Sequence, residues 1–286
     1  MVNHFCFVIL HYGEASVTMS AVESVLALNR EGHKVSVVVV DNASPNGTGL
    51  EVKRQLENLQ NVYLIQNDEN LGFAKGNNVG FRFAKQEMNA DFIVLMNNDA
   101  VIESRNFIER VSHDYEEENF AVLGPSIRTP NGKQQNPLRK RMLKGFRLKL
   151  TVAYLYIDVL LSLLYISPIA SMIGGKIANL TCSTKKIQPI NGVELHGSFL
   201  VFSPVYIQLY DGLDERTFMY CEEEILFARC QFHQIKTRFN PEIKILHNEK
   251  EDFCGSLKNV RKKRLFRVRN CLKSLRVYSK VLQELF

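Results

Sequence analysis

Residues 91–99 read Asp-Phe-Ile-Val-Leu-Met-Asn-Asn-Asp. The unbroken apolar run Phe92–Met96 is the signature of a strand buried on both faces, the kind found in parallel sheets. It stops abruptly at Asn97, Asn98 and Asp99. In an open α/β sheet such a C-terminal strand tip is where ligands bind. Amide and carboxylate oxygens there suit a hard divalent cation carrying a diphosphate. A plain polar turn has the same composition, so the surrounding chain has to decide between the two.

The first half alternates strand and helix patterns. Phe5–Leu10, Val35–Val40, Val62–Ile65, Asp91–Met96 and Phe120–Leu123 read as strands. Ser16–Asn29, Leu50–Leu59, Phe73–Glu87 and Asn106–Glu118 carry apolar residues at helical spacing. Gly32 reads as the stop of the first helix. This alternation predicts a mostly parallel sheet covered by helices on both faces. After Pro125 the pattern changes: 128–137 is polar and turn-rich, Leu138–Lys149 is basic and amphipathic, and Leu150–Ile173 is strongly apolar with Asp158 its only charge. Glu194–Ser203 then reads as a strand, Glu222–Phe232 as a helix and Asn259–Glu284 as a basic amphipathic helix.

Several function classes drop out. The six cysteines form no Cys-x-x-Cys pair and no zinc spacing, which predicts reduced thiols in a cytoplasmic protein. No basic segment followed by an apolar core and cleavage site opens the chain, so no signal peptide is expected. The first strand leads into His11-Tyr-Gly-Glu14, which has neither the glycine spacing of a dinucleotide fingerprint nor that of a P-loop. It likewise lacks the Gly-rich basic first loop that a nucleotidyltransferase would need.

Four constellations carry chemistry. Asp41 ends the Val35–Val40 strand, where a carboxylate can accept from the N–H edge of a pyrimidine base; an Asx turn would look alike. Residues 67–78, with Asn70, Gly72, Lys75, Asn77 and Asn78, open a helix whose free N–H groups and Lys75 favour an anion. The third is the tip Asn97-Asn98-Asp99. The fourth is residues 212–226, where Glu222, Glu223 and Glu224 open a helix. Acids in that place answer the helix dipole, and one of them can also serve as a general base toward a hydroxyl. His247, after the apolar run Ile243–Leu246, adds an imidazole.

The order of these motifs resembles the inverting family 2 glycosyltransferases, including rhamnosyl- and galactosyl-transferase-like bacterial polysaccharide enzymes, which have the GT-A fold. The resemblance covers residues 4 to about 130 and about 190 to 250. It rests on the strand-tip Asp41, Asn-Leu-Gly-Phe-Ala-Lys-Gly-Asn-Asn at 70–78, Asn97-Asn98-Asp99, His196-Gly197-Ser198, Gly-Leu-Asp-Glu-Arg-Thr-Phe at 212–218 with its acids, and the late His247. It implies that Asp41 reads the base and that Asn97-Asn98-Asp99 stands where the family has its DxD metal motif. Asp99 would then bind Mn²⁺ or Mg²⁺ with Asn97 and His247, and Gly197 and Ser198 would line the sugar and acceptor site. Glu223 would be the base, with Glu222 as its neighbour and an acceptor contact, although Glu222, Glu223 and Glu224 all remain candidates. His11, Tyr12, Asn70, Gly72, Lys75, Asn77 and Asn98 complete the expected nucleotide-sugar site. The implied reaction moves a hexose from a UDP- or dTDP-sugar to a glycan, and a catalytically degenerate nucleotide-sugar or membrane-binding module is the alternative.

The apolar run Leu150–Ile173 is long enough to span a bilayer. A single crossing there would put Asp99 and Glu223 on opposite sides, so the run is expected to be buried or interfacial. Ten Lys or Arg and no acid between Lys258 and Lys280 favour an anionic membrane surface. Sparse aromatic interleaving argues against nucleic acid. The expected layout is a catalytic domain over 1–250 with a helical insertion at about 138–185, then a basic helical extension over 251–286. The chain would sit peripherally on the inner face of the cell membrane, with a lipid-linked glycan as acceptor.

Overall fold

A computed structural model describes residues 2–163, 188–249 and 260–286. Along the chain it contains β1 (His4–His11), α1 (Ala15–Leu26), β2 (Lys34–Asp41), α2 (Thr48–Leu56), β3 (Val62–Gln66), α3 (Phe73–Gln86), β4 (Phe92–Asn97), β5 (Ala100–Ile102), α4 (Phe107–Glu118) and β6 (Val122–Arg128). There follow α5 (Gly145–Leu163), β7 (Ile190–Asn191), β8 (Phe199–Phe202), α6 (Pro204–Leu209), α7 (Glu222–Phe232), β9 (Thr237–His247) and α8 (Val260–Leu285).

The strands form one sheet in the order β3-β2-β1-β4-β8-β6-β9-β5, with β7 also on β9. The expected parallel sheet is present over β3-β2-β1-β4 and in the β6–β9 pair. Beyond β4 it becomes mixed, because β8 runs antiparallel between β4 and β6, and β5 antiparallel on β9. Period two explains the burial: on β1, Phe5, Phe7 and Ile9 join the core under α1, α2 and α4, while Cys6, Val8 and Leu10 join the core under α3, α6 and α7. Strands β2 and β4 divide in the same way, with Val37, Val39, Val94 and Met96 on one side and Val38, Val40, Ile93 and Leu95 on the other. Each such side chain, fully buried, stabilises the fold by roughly 1.5–3 kcal/mol.

A third cluster joins α5, α7 and α8 through Ile225, Ala228, Leu275, Tyr278 and Val281, with Leu148, Val152 and Leu155 against them. Helix α7 is therefore wedged between the sheet and α8. Helix α5 crosses the boundary expected near residue 150, because its buried row (Leu148, Val152, Leu155) is continuous across it. Asp158, the charge inside the apolar run, is buried and paired with Arg264 of α8. Among the described residues no helix is long and apolar enough to cross a membrane; residues 164–173 of the apolar run lie outside them, as do Cys182 and Cys254. Cys6, Cys221, Cys230 and Cys271 are free thiols.

Two local expectations are corrected, and one apolar run is assigned to an element. Helix α1 ends at Leu26, and Gly32 (φ +79°) belongs instead to a turn with Glu31 (φ +48°). The Glu194–Ser203 strand narrows to Phe199–Phe202, preceded by a turn at Gly197-Ser198. The apolar run before His247 is the end of the long strand β9.

Candidate functional site

Sheet register aligns the tips of four strands: His11 lies opposite Asp41, Leu10 opposite Asn97, and Asp41 opposite Gln66. The polar residues that follow therefore open onto one edge. Asp41 is nearly buried and its Oδ1 accepts the Ser44 N–H (3.1 Å), as in an Asx turn. Its Oδ2 lies so near Gly49 that a Cβ there would stand 1.8 Å away, so only glycine fits. The neighbour Asn42, not singled out in the sequence, organises the second constellation. Its amide donates to Asn70 Oδ1 (3.0 Å) and Gly72 O (3.2 Å), and its oxygen accepts from Asn67 (3.1 Å) and from the Leu71 N–H (3.1 Å). Gly72 adopts φ +81° and packs on Phe218, where an added Cβ would meet the backbone oxygen at 2.3 Å. Lys75 is exposed at the start of α3 and Tyr12 is half-buried.

Two expected ligand contacts face inward. His11 is fully buried, with its ring nitrogens against Thr18 (2.7 Å) and Thr48 (3.1 Å). Asn77 is buried and donates to Phe73 O (2.9 Å) within its own helix. Both support the cleft wall from behind. Asn78 turns the other way and clamps the 212–215 segment, donating to Leu213 O (2.9 Å) and Glu215 (3.1 Å) and accepting the Leu213 N–H (2.8 Å).

The Asn97-Asn98-Asp99 tip is the turn from β4 into β5. Asn98 donates to Thr18 Oγ1 (3.1 Å). Because Ala100 pairs with His247 across β5 and β9, Asp99 is brought to the imidazole: His247 Nε2 lies 3.1 Å from Asp99 Oδ1. Gln135 fixes the ring, since its amide nitrogen donates to Glu249 (2.9 Å) and its oxygen faces His247 Nδ1 at 2.8 Å. That contact assigns the Nδ1 proton to the Gln135 oxygen and leaves Nε2 facing Asp99 Oδ1, as an ion pair when the ring is doubly protonated and as two donor atoms open to a shared cation when it is not. Neighbouring ligands of an octahedral Mg²⁺ site lie about 3 Å apart, so the Asp99–His247 pair fits a divalent metal. Among the described residues no cluster of three His, Cys, Asp or Glu side chains could hold one alone.

The turn His196-Gly197-Ser198 connects this pair to the acids. The His196 ring lies 5.9 Å from that of His247, centre to centre, and burial followed by the nearby His247 pushes it down to about 4. The Ser198 carbonyl accepts the Asn97 N–H (2.9 Å), and the Gly197 N–H donates to Glu223 Oε1 (3.1 Å). A Cβ on Gly197 would stand 2.7 Å from that oxygen.

The three acids at the start of α7 have separate fates. Glu222 is buried, accepts the Thr217 hydroxyl (2.9 Å), and is pushed up to about 8 by burial and then by Glu223. Glu224 accepts from Arg139 Nη2 (2.8 Å). Glu223 faces Gly197 and accepts its N–H at Oε1. Burial raises its carboxyl above the ordinary range, opposed by its own backbone N–H, by the Gly197 N–H and by Arg139. The chain enters α7 through two consecutive left-handed residues, Tyr220 (φ +73°) and Cys221 (φ +67°), a conformation that costs about 1–3 kcal/mol per residue. The segment before them is braced by Asp214, which accepts from Arg216 and Arg229 (both 2.8 Å), while Arg216 also forks onto Glu284 of α8 (2.8 and 2.7 Å).

A sequence profile described as glycosyl transferase family 2 matches residues 6–169. The chain is 31% identical over 116 residues to the dTDP-rhamnosyl transferase RfbF of Shigella flexneri, a match covering 41% of this chain and 37% of that protein. It is 25% identical over 215 residues to the low-salt glycan biosynthesis hexosyltransferase Agl10 of Haloferax volcanii, covering 75% of this chain and 59% of that one. The matched regions therefore span well under two thirds of both relatives. Among solved structures, S. aureus TarS 1–349 in complex with UDP-GlcNAc superposes with a TM-score of 0.56 at 14% identity, covering 98% of this chain and 71% of that one. Its complex with UDP gives a TM-score of 0.54 at 13% identity, covering 98% and 70%. At such identity the likeness establishes the fold, which is the GT-A arrangement.

Proposed function

The chain belongs to glycosyl transferase family 2, and from that premise we propose that it transfers a hexose from a nucleoside-diphosphate sugar to a hydroxyl of a glycan acceptor, inverting the anomeric centre, in cell-surface polysaccharide synthesis. The observation that carries this reading is the Glu223 carboxylate, with Oε1 held by the Gly197 N–H on a turn whose other flank touches Asn97 and His247. In the proposed reaction Glu223 takes the acceptor hydroxyl proton as that oxygen bonds to the anomeric carbon. The bond from that carbon to the diphosphate breaks on the opposite face, which is what inverts the centre. A carboxyl raised by burial is a stronger base than a free glutamate.

Asp41 and Tyr12 at the strand tips, Asn70, Gly72 and Lys75 at the start of α3, and Asn98, Gly197 and Ser198 beside β4 form the proposed donor site, with His11 and Asn77 behind it. Asp99 and His247, with Asn97 adjacent, would hold Mn²⁺ or Mg²⁺; such an ion neutralises charge that builds on a departing diphosphate. The relative named for dTDP-rhamnosyl transfer and the neighbour bound to UDP support a dTDP- or UDP-sugar donor.

A lipid-linked acceptor at an anionic membrane surface is part of the proposal. Helix α5 buries one apolar row yet exposes a second, Phe146, Leu150, Tyr154, Ile157 and Leu160. Beside it α8 exposes Lys262, Arg269, Lys273, Arg276 and Lys280, and Arg276 donates to Tyr156 of α5 (2.7 Å). An apolar stripe rimmed by cations suits a headgroup interface. Purified protein with Mn²⁺ and a panel of UDP- and dTDP-sugars should release nucleoside diphosphate in the presence of acceptor. Glu223→Gln should bind donor normally and lose at least ~100-fold in transfer. Donor binding with no turnover on any acceptor would favour a binding module instead.

A further inference from the structure

The base does not stand alone in its surroundings. Glu194 is fully buried, and among the described residues neither of its carboxyl oxygens receives a hydrogen bond. The buried Tyr278 hydroxyl of α8 is likewise without a partner. Arg139 reaches into this space with its Nε 3.1 Å from Glu194 Oε1 and its Nη2 donating to Glu224 Oε1 at 2.8 Å. Its backbone is fixed as well: the Glu194 N–H donates to Arg139 O (2.7 Å) and the Leu138 N–H to Glu194 O (2.9 Å). One guanidinium thus joins the segment that runs from Glu194 into Gly197 to the helix that carries Glu223.

We propose that Arg139 is a positioning residue for transfer: it locks the segment that runs into the Gly197 turn against the first turn of α7, and its positive charge favours the ionised form of Glu223. The inference rests on Glu223 being the base.

The electrostatics support it. The groups around Glu223 are Glu222, Glu224 and Cys221 on its own element, Glu194 from the turn segment, Tyr278 and Cys271 from α8, and Arg139. Arg139 is a cation that acts on Glu194, Glu223 and Glu224 alike. One positive charge cannot keep every acid there ionised in so little water. Among the described residues Glu194 meets the Arg139 Nε at 3.1 Å without hydrogen-bond geometry, and burial followed by repulsion from Glu224 pushes it up to about 8. Glu223 and Glu224 each keep a donor, the Gly197 N–H and the Arg139 guanidinium.

The test is the pH profile of kcat/KM for donor turnover in the full chain, comparing wild type, Arg139→Met, Arg139→Lys, Glu194→Gln and Glu223→Gln. Arg139→Met should move the acid limb up by a pH unit or more, so that its roughly tenfold or larger deficit at neutral pH shrinks as pH rises. Arg139→Lys should move the limb less. Glu194→Gln, which mimics the protonated acid, should keep the wild-type limb and near wild-type turnover. Should Arg139→Met fold poorly in a thermal melt, the double variant Arg139→Met/Glu194→Gln leaves no buried Glu194 charge to strand and should show the same upward shift. A uniform loss at every pH with the limb unmoved would reduce Arg139 to packing and overturn the inference, as would a profile identical to wild type. An active Glu223→Gln enzyme would overturn the base assignment itself, a result read independently of the Arg139 variants.

Discussion

Gly197→Ala perturbs the base without touching any other proposed ligand. The added Cβ would lie 2.7 Å from Glu223 Oε1 and 3.2 Å from Glu223 Cδ. Carbon–oxygen contacts relax at about 3.3–3.6 Å, so the carboxyl must withdraw by roughly 0.6 Å or more. What yields is the free end of a side chain, since the helix beneath is tied down by Glu224 on Arg139. The Gly197 N–H bond to Glu223, now 3.1 Å, is lost in that movement. A hydrogen bond to a charged group contributes about 1.5–3 kcal/mol, and tenfold in rate corresponds to 1.36 kcal/mol. Nucleoside-diphosphate release under donor and acceptor saturation should therefore fall roughly 10- to 150-fold in kcat. Donor KM should hold within about twofold and the melting temperature within a few degrees, because no backbone strain accompanies the change. Wild-type kcat in this variant would mean that Glu223 has no fixed station, and the reasoning from the Gly197 contact would fail.

Three further outcomes are expected. Gly72→Ala combines φ +81° with a Cβ 2.3 Å from the Phe218 carbonyl, which is backbone and cannot swing away; it should cost roughly 2–4 kcal/mol in denaturant unfolding and weaken donor binding. Glu222 stays protonated in the folded chain up to about 8 but ionises above about 4.5 when unfolded, so folding takes up a proton between those values. Stability should therefore fall as pH rises from about 5 to 8, by at most ~1.4 kcal/mol per pH unit for this group, and Glu222→Gln should give a shallower decline in melting temperature. His247→Ala should abolish the Mn²⁺-dependent gain in UDP affinity measured by calorimetry while leaving metal-free affinity nearly unchanged; an undiminished Mn²⁺ effect would remove His247 as a ligand.

Much of the architecture was written in local patterns. The runs Phe5–Leu10, Val35–Val40 and Phe92–Met96 are apolar at every position because both sheet faces are covered, and they fold as strands β1, β2 and β4. Asn97-Asn98-Asp99 and His247 were each visible, but what joins them is the Ala100–His247 pairing, and a three-residue strand such as β5 has too little sequence to announce itself. Asn42, Asn78 and Arg139 act through partners 28, 135 and 85 residues away, and one polar side chain has no periodicity to betray such a contact. One signal was available: Glu194 sits between Val193 and Leu195 in a run that otherwise reads as buried, and an acid in such a place needs a cation or a proton. The Glu194–Ser203 run also concealed its turn, because the close approach that demands a glycine at 197 depends on a side chain from another element.

The position of β8 between β4 and β6 bears on how such a protein can diversify. After β6 the chain leaves the sheet at Thr129, pairs with β9 at β7, and returns at Phe199 in a strand hydrogen-bonded to both β4 and β6. Closing a longer excursion adds only about 0.6 kcal/mol per doubling of its length. Lineages could therefore exchange, lengthen or trim that excursion, and with it the surface it presents, while the strand tips keep their register.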